Sequence, residues 1–294
     1  IVKIITPPGQ QINDNTRIVC DMGVIDNPSG INLINDPLNN YNGKIAIEIR
    51  GSTSQQYPKK SYGFETQTAL GANNNVALMG LPIENDWILN GPYPDKTLLR
   101  DALTYELSRN MGHYSSRFRF CELLINNQYL GVYLLFERIK RDNDRVDIAT
   151  LDIDDLAGDS LTGGYIVKID KLTGESGITW TSNFSNEVVF QFHDPESDEL
   201  HPVQINYMQN FISDFENAIQ TNPETNYLQW IEPTSFYDFF ILQELGRTVD
   251  GYRSSSFMYK DKNSGDFQGR LVAGPMWDFN LSYGNADYCD AFET

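Results

Sequence analysis

The sequence is short of positive charge. Lys and Arg number 22 against 40 Asp and Glu, leaving a formal charge of -18 over 294 residues. A surface that negative repels the phosphates of nucleic acid and the anionic face of a membrane. Nucleic acid is therefore excluded as a partner, and any phosphate site must be a local basic pocket. Cysteine is scarce too. Cys20, Cys121 and Cys289 are too few for a disulfide framework and lack zinc-like spacing; their odd count favours free thiols, with one bridge left open. No run approaches the roughly 18 apolar residues that cross a bilayer, so no transmembrane segment is expected. Internal repeats and low-complexity tracts are lacking. So is an initiating methionine: the chain opens on the strand-like "IVKIITPPGQ", and upstream sequence is expected to have been removed.

What is present suits a folded protein with a sizeable core, since hydrophobic residues make up 40% and aromatics 12%. The acidic, Asn- and Tyr-rich composition suits a secreted or cell-surface setting. Oligomeric state is not legible.

Residues 1–65 read as β. "IVKIIT" and "RIVCDMGVI" are short apolar runs split by turn residues. "KIAIEIRG" alternates Ile45, Ile47 and Ile49 against Ala46, Glu48 and Arg50, and "KKSYGFET" puts Lys60, Tyr62 and Phe64 on one face, so the two form a hairpin around "GSTSQQYP". "DKTLLRDALTYELSRNMG" is a helix with Asp95 or Thr97 as its cap, Leu98, Ala102, Tyr105 and Leu107 at helical spacing, and Gly112 at its end. "RFCELLINNQYLGVYLLFERI" is a hairpin turning at Asn126-Asn127. Residues 140–160 are acidic and loop-like or weakly helical; "GGYIVKID" and "EVVFQFHDP" are strands. "PVQINYMQNFISDFENAIQ" and "SFYDFFILQELGRTVD" are helical, and "SSFMYKDKNSGDFQGRLVAGPMWDF" is strand, polar loop and strand. The expectation is an α+β protein of two lobes: a β extension over residues 1–40, then a domain over 41–294, β-rich to about 140 and more helical after.

Two aspartates stand in apolar surroundings. Asp250 follows a helix rich in Phe and Leu, and Asp278 lies between Trp277 and Phe279, although ionised carboxylates are rarely buried without a partner or a metal. Strand, turn and strand fold back, which can return Asp278 close to Asp250. One carboxylate beside an incoming hydroxyl and one on a divalent cation is the arrangement phosphoryl transfer uses. The structural alternative is that Asp250 caps a turn before Gly251 while Asp278 bonds the backbone.

Five stretches, "GKIAIEIRGSTSQQYPKKSYGFE", "LLRDALTYELSRNMG", "CELLINNQYLGVYLLFERI", "VDGYRSSSFMYKD" and "WDFNLSYGN", together resemble the CotH family over roughly residues 40–290. That family is named for a spore-coat protein and has kinase-like members; the variant here most resembles secreted members from gut-type Bacteroidetes. The resemblance implies an atypical two-lobed protein-kinase fold and phosphorylation of Ser or Thr in protein substrates, dependent on ATP and Mg²⁺, with Mn²⁺ the other candidate ion. It implies Asp250 as the catalytic aspartate and Asp278 as the metal-binding one, with Lys60, or its neighbour Lys59, reaching the phosphates. From kinase geometry, Glu106 would pair with that lysine, and Arg50 and Gly51-Ser52 would contact phosphate. The chain also departs from the pattern. Ser255 stands five residues after Asp250, where an Asn metal ligand is usual; Asn280 replaces a small or acidic residue; and "RGSTSQ" replaces a Gly-rich phosphate loop. The family continues past the position of Thr294, so the C-terminal lobe is expected to be incomplete. Family members also serve as coat components or adhesins, so a non-enzymatic surface protein is the competing class.

Other candidates read as structural. His193 and His201 flank the acidic "DPESDEL" without a zinc pattern and read as an exposed loop. "DIDDLAGD" lacks the terminal Glu of a calcium loop. Glu122 and Glu137 read as strand residues facing solvent rather than a glycosidase pair. "FYDFFILQEL" reads as core. Trp87 and Trp180, in loop-like contexts, are the basis for a third reading, a carbohydrate-binding or carbohydrate-active protein.

Overall fold

Alternation at period two builds the first half of the molecule. The computed structural model describes residues 1–14, 16–172, 177–221, 224, 226–289 and 291. The chain divides into two compact units, Ile1–Lys96 with Arg117–Arg138, and Thr97–Ser116 with Ile139–Thr294.

The first unit holds seven strands: β1 (Val2–Ile5), β2 (Ile18–Val24), β3 (Tyr41–Arg50), β4 (Ser61–Gln67), β5 (Asp86–Asn90), β6 (Phe118–Ile125) and β7 (Gln128–Glu137). They close into a barrel in the order β1-β2-β3-β4-β5-β7-β6, antiparallel throughout except where β1 runs parallel to β6. Every second side chain points inward: Val2 and Ile4, Cys20 and Met22, Ile45 and Ile47, Tyr62 and Phe64, Trp87 and Leu89, Cys121 and Leu123, Tyr133 and Leu135 form one core. Residues 1–40, set apart in the sequence as an extension, thus supply two of the barrel's strands. Asn126 and Asn127 have φ of 51° and 63°, the paired left-handed conformation that a two-residue hairpin turn requires.

Two expectations fail in this unit. Trp87 is no loop residue but a core residue of β5. Glu137 is 0% exposed, and accepts from the Arg117 side chain at 2.8 Å and its backbone N–H at 2.9 Å. A carboxylate withdrawn this far from water needs such a partner. Glu122 does face solvent. The cysteines are free thiols; burial raises Cys20 to about 11 and Cys121 to about 12, so neither ionises near neutrality.

The second unit combines a five-stranded antiparallel sheet with helices. Its strands are β8 (Tyr165–Ile169), β9 (Thr179–Thr181), β10 (Val189–Asp194), β11 (Ser256–Lys260) and β12 (Leu271–Ala273), in the order β12-β11-β8-β10-β9. Its helices are α1 (Arg100–Asn110), α2 (Gly158–Leu161), α3 (Pro202–Thr221) and α4 (Pro233–Gly246). The core gathers Tyr165, Val167, Phe190, Phe192, Met208, Ile212, Met258 and Leu271. The more helical region foreseen here thus carries, beside its helices, a five-stranded sheet. Leu99, not Asp95 or Thr97, is the N-cap of α1 and caps it with no side chain of its own, while the Thr97 hydroxyl accepts the Leu99 N–H at 3.2 Å. Trp180 lies on β9 and stacks on Phe190 at 5.4 Å. His193 lies on β10 and presents Nε2 to the Ile139 carbonyl at 2.8 Å, so it is no loop residue, while His201 stands in the loop before α3, where its Nδ1 accepts the Val203 N–H. The α4 run foreseen as core is split: Phe239 and Leu242 are buried, but Tyr237, Phe240, Ile241 and Leu245 are exposed along the opposite face.

β11 ends on an unusual group. Lys260 is 0% exposed; its Nζ donates to the carbonyls of Thr162 and Asp261 and lies 4.9 Å from the Phe211 ring. The neighbouring chain passes so closely that a Cβ at Gly163 or Gly269 would fall 2.0 Å from the Asp261 backbone. Desolvation pulls Lys260 down to about 8, against a weaker upward pull from Asp261. An unfolded lysine titrates at about 10.4, so the native state holds this proton more weakly. The resulting destabilisation is fully present below pH 8 and is relieved as the pH rises toward 10. Chemical denaturation of wild type and Lys260→Met across this range should show wild type gaining on the variant with rising pH, by up to roughly 3 kcal/mol. A pH-independent difference would mean that Lys260 keeps an ordinary affinity for its proton.

Candidate functional site

The second unit carries both aspartates in loops that leave regular elements. α4 ends with Arg247 in the left-handed conformation, φ 45°, and the chain turns through Thr248–Ser255 into β11. In that turn the Gly251 N–H bonds the Thr248 carbonyl and the Ser254 N–H bonds the Asp250 carbonyl. The turn therefore closes through backbone alone, and the Asp250 side chain is not its cap. Its carboxylate instead meets Arg253 Nη2 at 2.8 Å and Lys171 Nζ at 3.7 Å. Register explains the second contact: Ser256 opposes Ile169, so the chain leaving β8 runs beside the chain entering β11.

Asp278 lies five residues beyond β12, in a loop rather than on a strand. It is not the buried ion that its neighbours suggested. Phe279 is 0% exposed and Trp277 is half-buried, but the Asp278 side chain is exposed. Its φ of 64° accounts for this, since the left-handed turn redirects one side chain outward between two that pack. Asn280 Nδ2 donates to Oδ1 at 2.5 Å, and Ser255 Oγ lies 3.4 Å from Oδ2. Ser255 is itself left-handed, φ 51°, as is Tyr252 at 67°. Left-handed non-glycine residues thus concentrate in these two loops, where packing must hold them.

That packing comes from α1. The buried Asp101 carboxylate, 4% exposed, accepts the Phe279 N–H at 2.7 Å, and the Tyr105 hydroxyl accepts the Asp278 N–H at 3.2 Å. Arg100 Nε donates to the Ser282 carbonyl at 3.0 Å, and Thr104 shares a 2.8 Å bond with the Tyr283 hydroxyl. The Tyr105 ring stacks on Trp277. None of these residues was singled out for the site. The available signal was that polar Asp101 and Ser108 share the inward face of the helix with Tyr105.

A chemically mixed cluster results. Asp278 and Ser255 bring a carboxylate and a hydroxyl oxygen together, hard donors of the kind Mg²⁺ accepts, while Asn280 turns its amide N–H toward the carboxylate; Mg²⁺ needs few protein ligands because it keeps waters and phosphate oxygens. The described residues contain no group of three or more His, Cys, Asp or Glu that could hold a metal unaided. Tyr288 registers both carboxylates: burial, then Asp250 and more weakly Asp278, oppose its ionisation, with Arg253 acting the other way.

A family model described as CotH kinase protein matches residues 47–293. The chain belongs to the CotH family. A comparison with curated proteins finds no match. Of the residues that the family resemblance pointed to, the second unit brings Asp278 and Ser255 into contact. Glu106, on α1 in that unit, is exposed and paired with Arg109. Asp250 lies in the second unit too, and Arg50, Lys59 and Lys60 lie in the first. Arg50 ends β3 opposite Ser61, beside Lys60. Lys60 donates to the Gln55 carbonyl, and Gln55 Nε2 to the Gly51 carbonyl at 2.6 Å, so "RGSTSQ" folds back on itself. Lys59 donates to the Val132 carbonyl and sits 4.5 Å from the Tyr133 ring, its pKa lowered by desolvation. Lys60 and Glu106 each find a partner within their own unit.

If α1 positions Asp278 through the backbone, Asp101→Ala should cost about 1–3 kcal/mol of stability by leaving the Phe279 N–H unpaired. Hydrogen exchange should locate the effect, with amides 278–283 exchanging faster while β8 and β11 stay protected. Uniform acceleration across the unit would assign Asp101 to global stability instead.

Proposed function

We propose that this CotH-family chain is a kinase-like phosphotransferase whose lobes are the two compact units, and that it transfers phosphate from ATP to Ser or Thr of a protein. The observation that carries the reading is the meeting of Asp278 with Ser255, in two left-handed loops separated in sequence. Asp278, with Ser255 beside it, would hold Mg²⁺ or Mn²⁺. The metal would neutralise charge on the nucleotide phosphates. Asp250 would accept or orient the proton of the attacking hydroxyl once its carboxylate is released from Arg253 and Lys171. In the first unit, Arg50 and Lys60, with Lys59, are the groups proposed for phosphate. The acidic composition supports a secreted or cell-surface setting.

Ser255 need not disable this chemistry. A hydroxyl is a weaker ligand than an amide oxygen, yet it sits beside the carboxylate. One feature favours a second reading, an inactive surface or adhesion protein on the same scaffold: the apolar outer face of α4, formed by Tyr237, Phe240, Ile241 and Leu245.

Mg-ATP should raise the melting temperature by several degrees at about 100 times its dissociation constant, a linkage of about 2.7 kcal/mol. Asp278→Ala should abolish the rise while costing the unliganded protein only about 1 kcal/mol, because Ala suits the left-handed φ of 64° less well than Asp. Asp250→Ala should keep the rise but lose transfer by about 10²–10⁴-fold in an autophosphorylation assay. A full thermal shift in Asp278→Ala would remove the metal assignment, and no shift or transfer in any variant would favour the surface-protein reading.

Asn tolerates the left-handed conformation better than Ser and offers a stronger oxygen ligand. Ser255→Asn should therefore fold at least as well and lower the Mg²⁺ concentration needed for half-maximal nucleotide binding, read by titration calorimetry. A higher requirement would show that position 255 does not face the metal.

A further inference from the structure

Asp250 is held by two cations in a chain that has few. Arg253 and Lys171 are 57% and 51% exposed at the side chain, against 18% for Asp250, so their outer sides meet water while their inner sides meet the carboxylate. Exposed pairs of this kind are weak and exchange readily for another anion. The two cations come from different elements: Arg253 from the turn after α4, and Lys171 from the chain just beyond β8, brought together by the β8–β11 register. Both therefore stand beside the position proposed for the accepting hydroxyl.

We propose that Arg253 and Lys171 read an anionic group on the protein substrate, a carboxylate or a phosphate within a few residues of the accepting Ser or Thr. This rests on the reading of Asp250 as the catalytic aspartate. The exchange has a directed result. When the substrate's anion takes the two cations, the Asp250 carboxylate loses its partners and becomes available to the hydroxyl proton. An acidic substrate would thus complete the site, whereas a neutral one would leave Asp250 occupied. The net charge of -18 sets an opposite, long-range preference for basic chains. Screening limits that field to about 8–10 Å at physiological salt, so at the site itself the two adjacent cations decide. Arg253 offers a planar fork suited to either anion, and Lys171 offers a point charge.

Three fluorescent peptides test this, each with one Ser flanked by alanines, by glutamates or by phosphoserine. Their binding to the intact chain is measured by anisotropy without nucleotide. Wild type should bind both anionic peptides about tenfold or more tightly than the alanine peptide, as charge-assisted hydrogen bonds predict, and lose the preference in high salt. The double variant Arg253→Gln with Lys171→Gln should bind all three alike, and Arg253→Lys with Lys171→Arg should restore the preference. Both positions are more than half exposed, so neither change threatens the fold. The phosphoserine and glutamate arms separate a substrate primed by earlier phosphorylation from one that is acidic by sequence. Equal affinity for anionic and neutral peptides in wild type, or a preference that survives the double glutamine variant, overturns the proposal.

Transfer from Mg-ATP to the same peptides keeps the two readings apart. Anionic preference in binding with no phosphorylation of any peptide would leave the anion site standing and remove the kinase. Phosphorylation of all three at equal efficiency would keep the kinase and remove the anion site. A KM for ATP raised equally with every peptide in the glutamine variant would reassign the cations to the nucleotide and also overturn the proposal.

Discussion

The grip of α1 on the chain from Trp277 to Tyr283 is what the site depends on. Asp278 is exposed, and an exposed carboxylate in a loop has no packing of its own to fix it. Its position is fixed instead through its peptide groups. Asp101 and Tyr105 hold successive N–H groups, Arg100 holds a carbonyl, and Phe279 anchors the turn in the core. The left-handed conformation at Asp278 costs energy, and these bonds and the buried Phe279 offset it. The charged oxygens are left facing outward, with Ser255 and Asn280 as neighbours. A helix that supplies no ligand thereby determines where the ligand stands.

Much of the fold was legible in the sequence because the barrel strands alternate so regularly. Ile45/Ile47, Tyr62/Phe64 and the Asn126-Asn127 turn carry their structure in local pattern. Barrel closure was not legible: the parallel pairing of β1 with β6 joins residues about 120 positions apart, and no local signal encodes it. Trp87 and Glu137 were misplaced for a related reason. Each lies in a run of consecutively buried residues, 86–89 on β5 and 133–137 on β7, where alternation no longer separates core from surface. Around the site, the pairing of Asp278 with Ser255 followed from the resemblance to the CotH family, whereas the contribution of α1 did not. Asp101 is an ordinary residue for the first turn of a helix, and its spacing from Tyr105 was the one local sign that it faces inward.

Cations are used sparingly in this acidic chain, and several are committed to tasks inside the fold. Arg117 neutralises Glu137, Lys59 lies against Tyr133, and Lys260 is enclosed by carbonyls and aromatic rings. Buried lysine is a poor stabiliser, because the desolvation that lowers its affinity for a proton also weakens the native state at neutral pH. What it provides is saturation of the Thr162 and Asp261 carbonyls where β11 and the Gly163 and Gly269 backbones meet at close range. The cations beside Asp250 differ in remaining open to water.

The order of segments along the chain has a further consequence for how the molecule is made. Residues 97–116 belong to the second unit but are inserted between β5 and β6 of the first. On a ribosome, the strands up to β5 emerge with the barrel still open, and α1 follows while the loops it will hold are some 170 residues from being synthesised. The barrel can close only after α1 has been passed over. Until then α1 carries its buried polar face without a partner. Neither unit is a continuous stretch of sequence, and no single cut releases either of them intact.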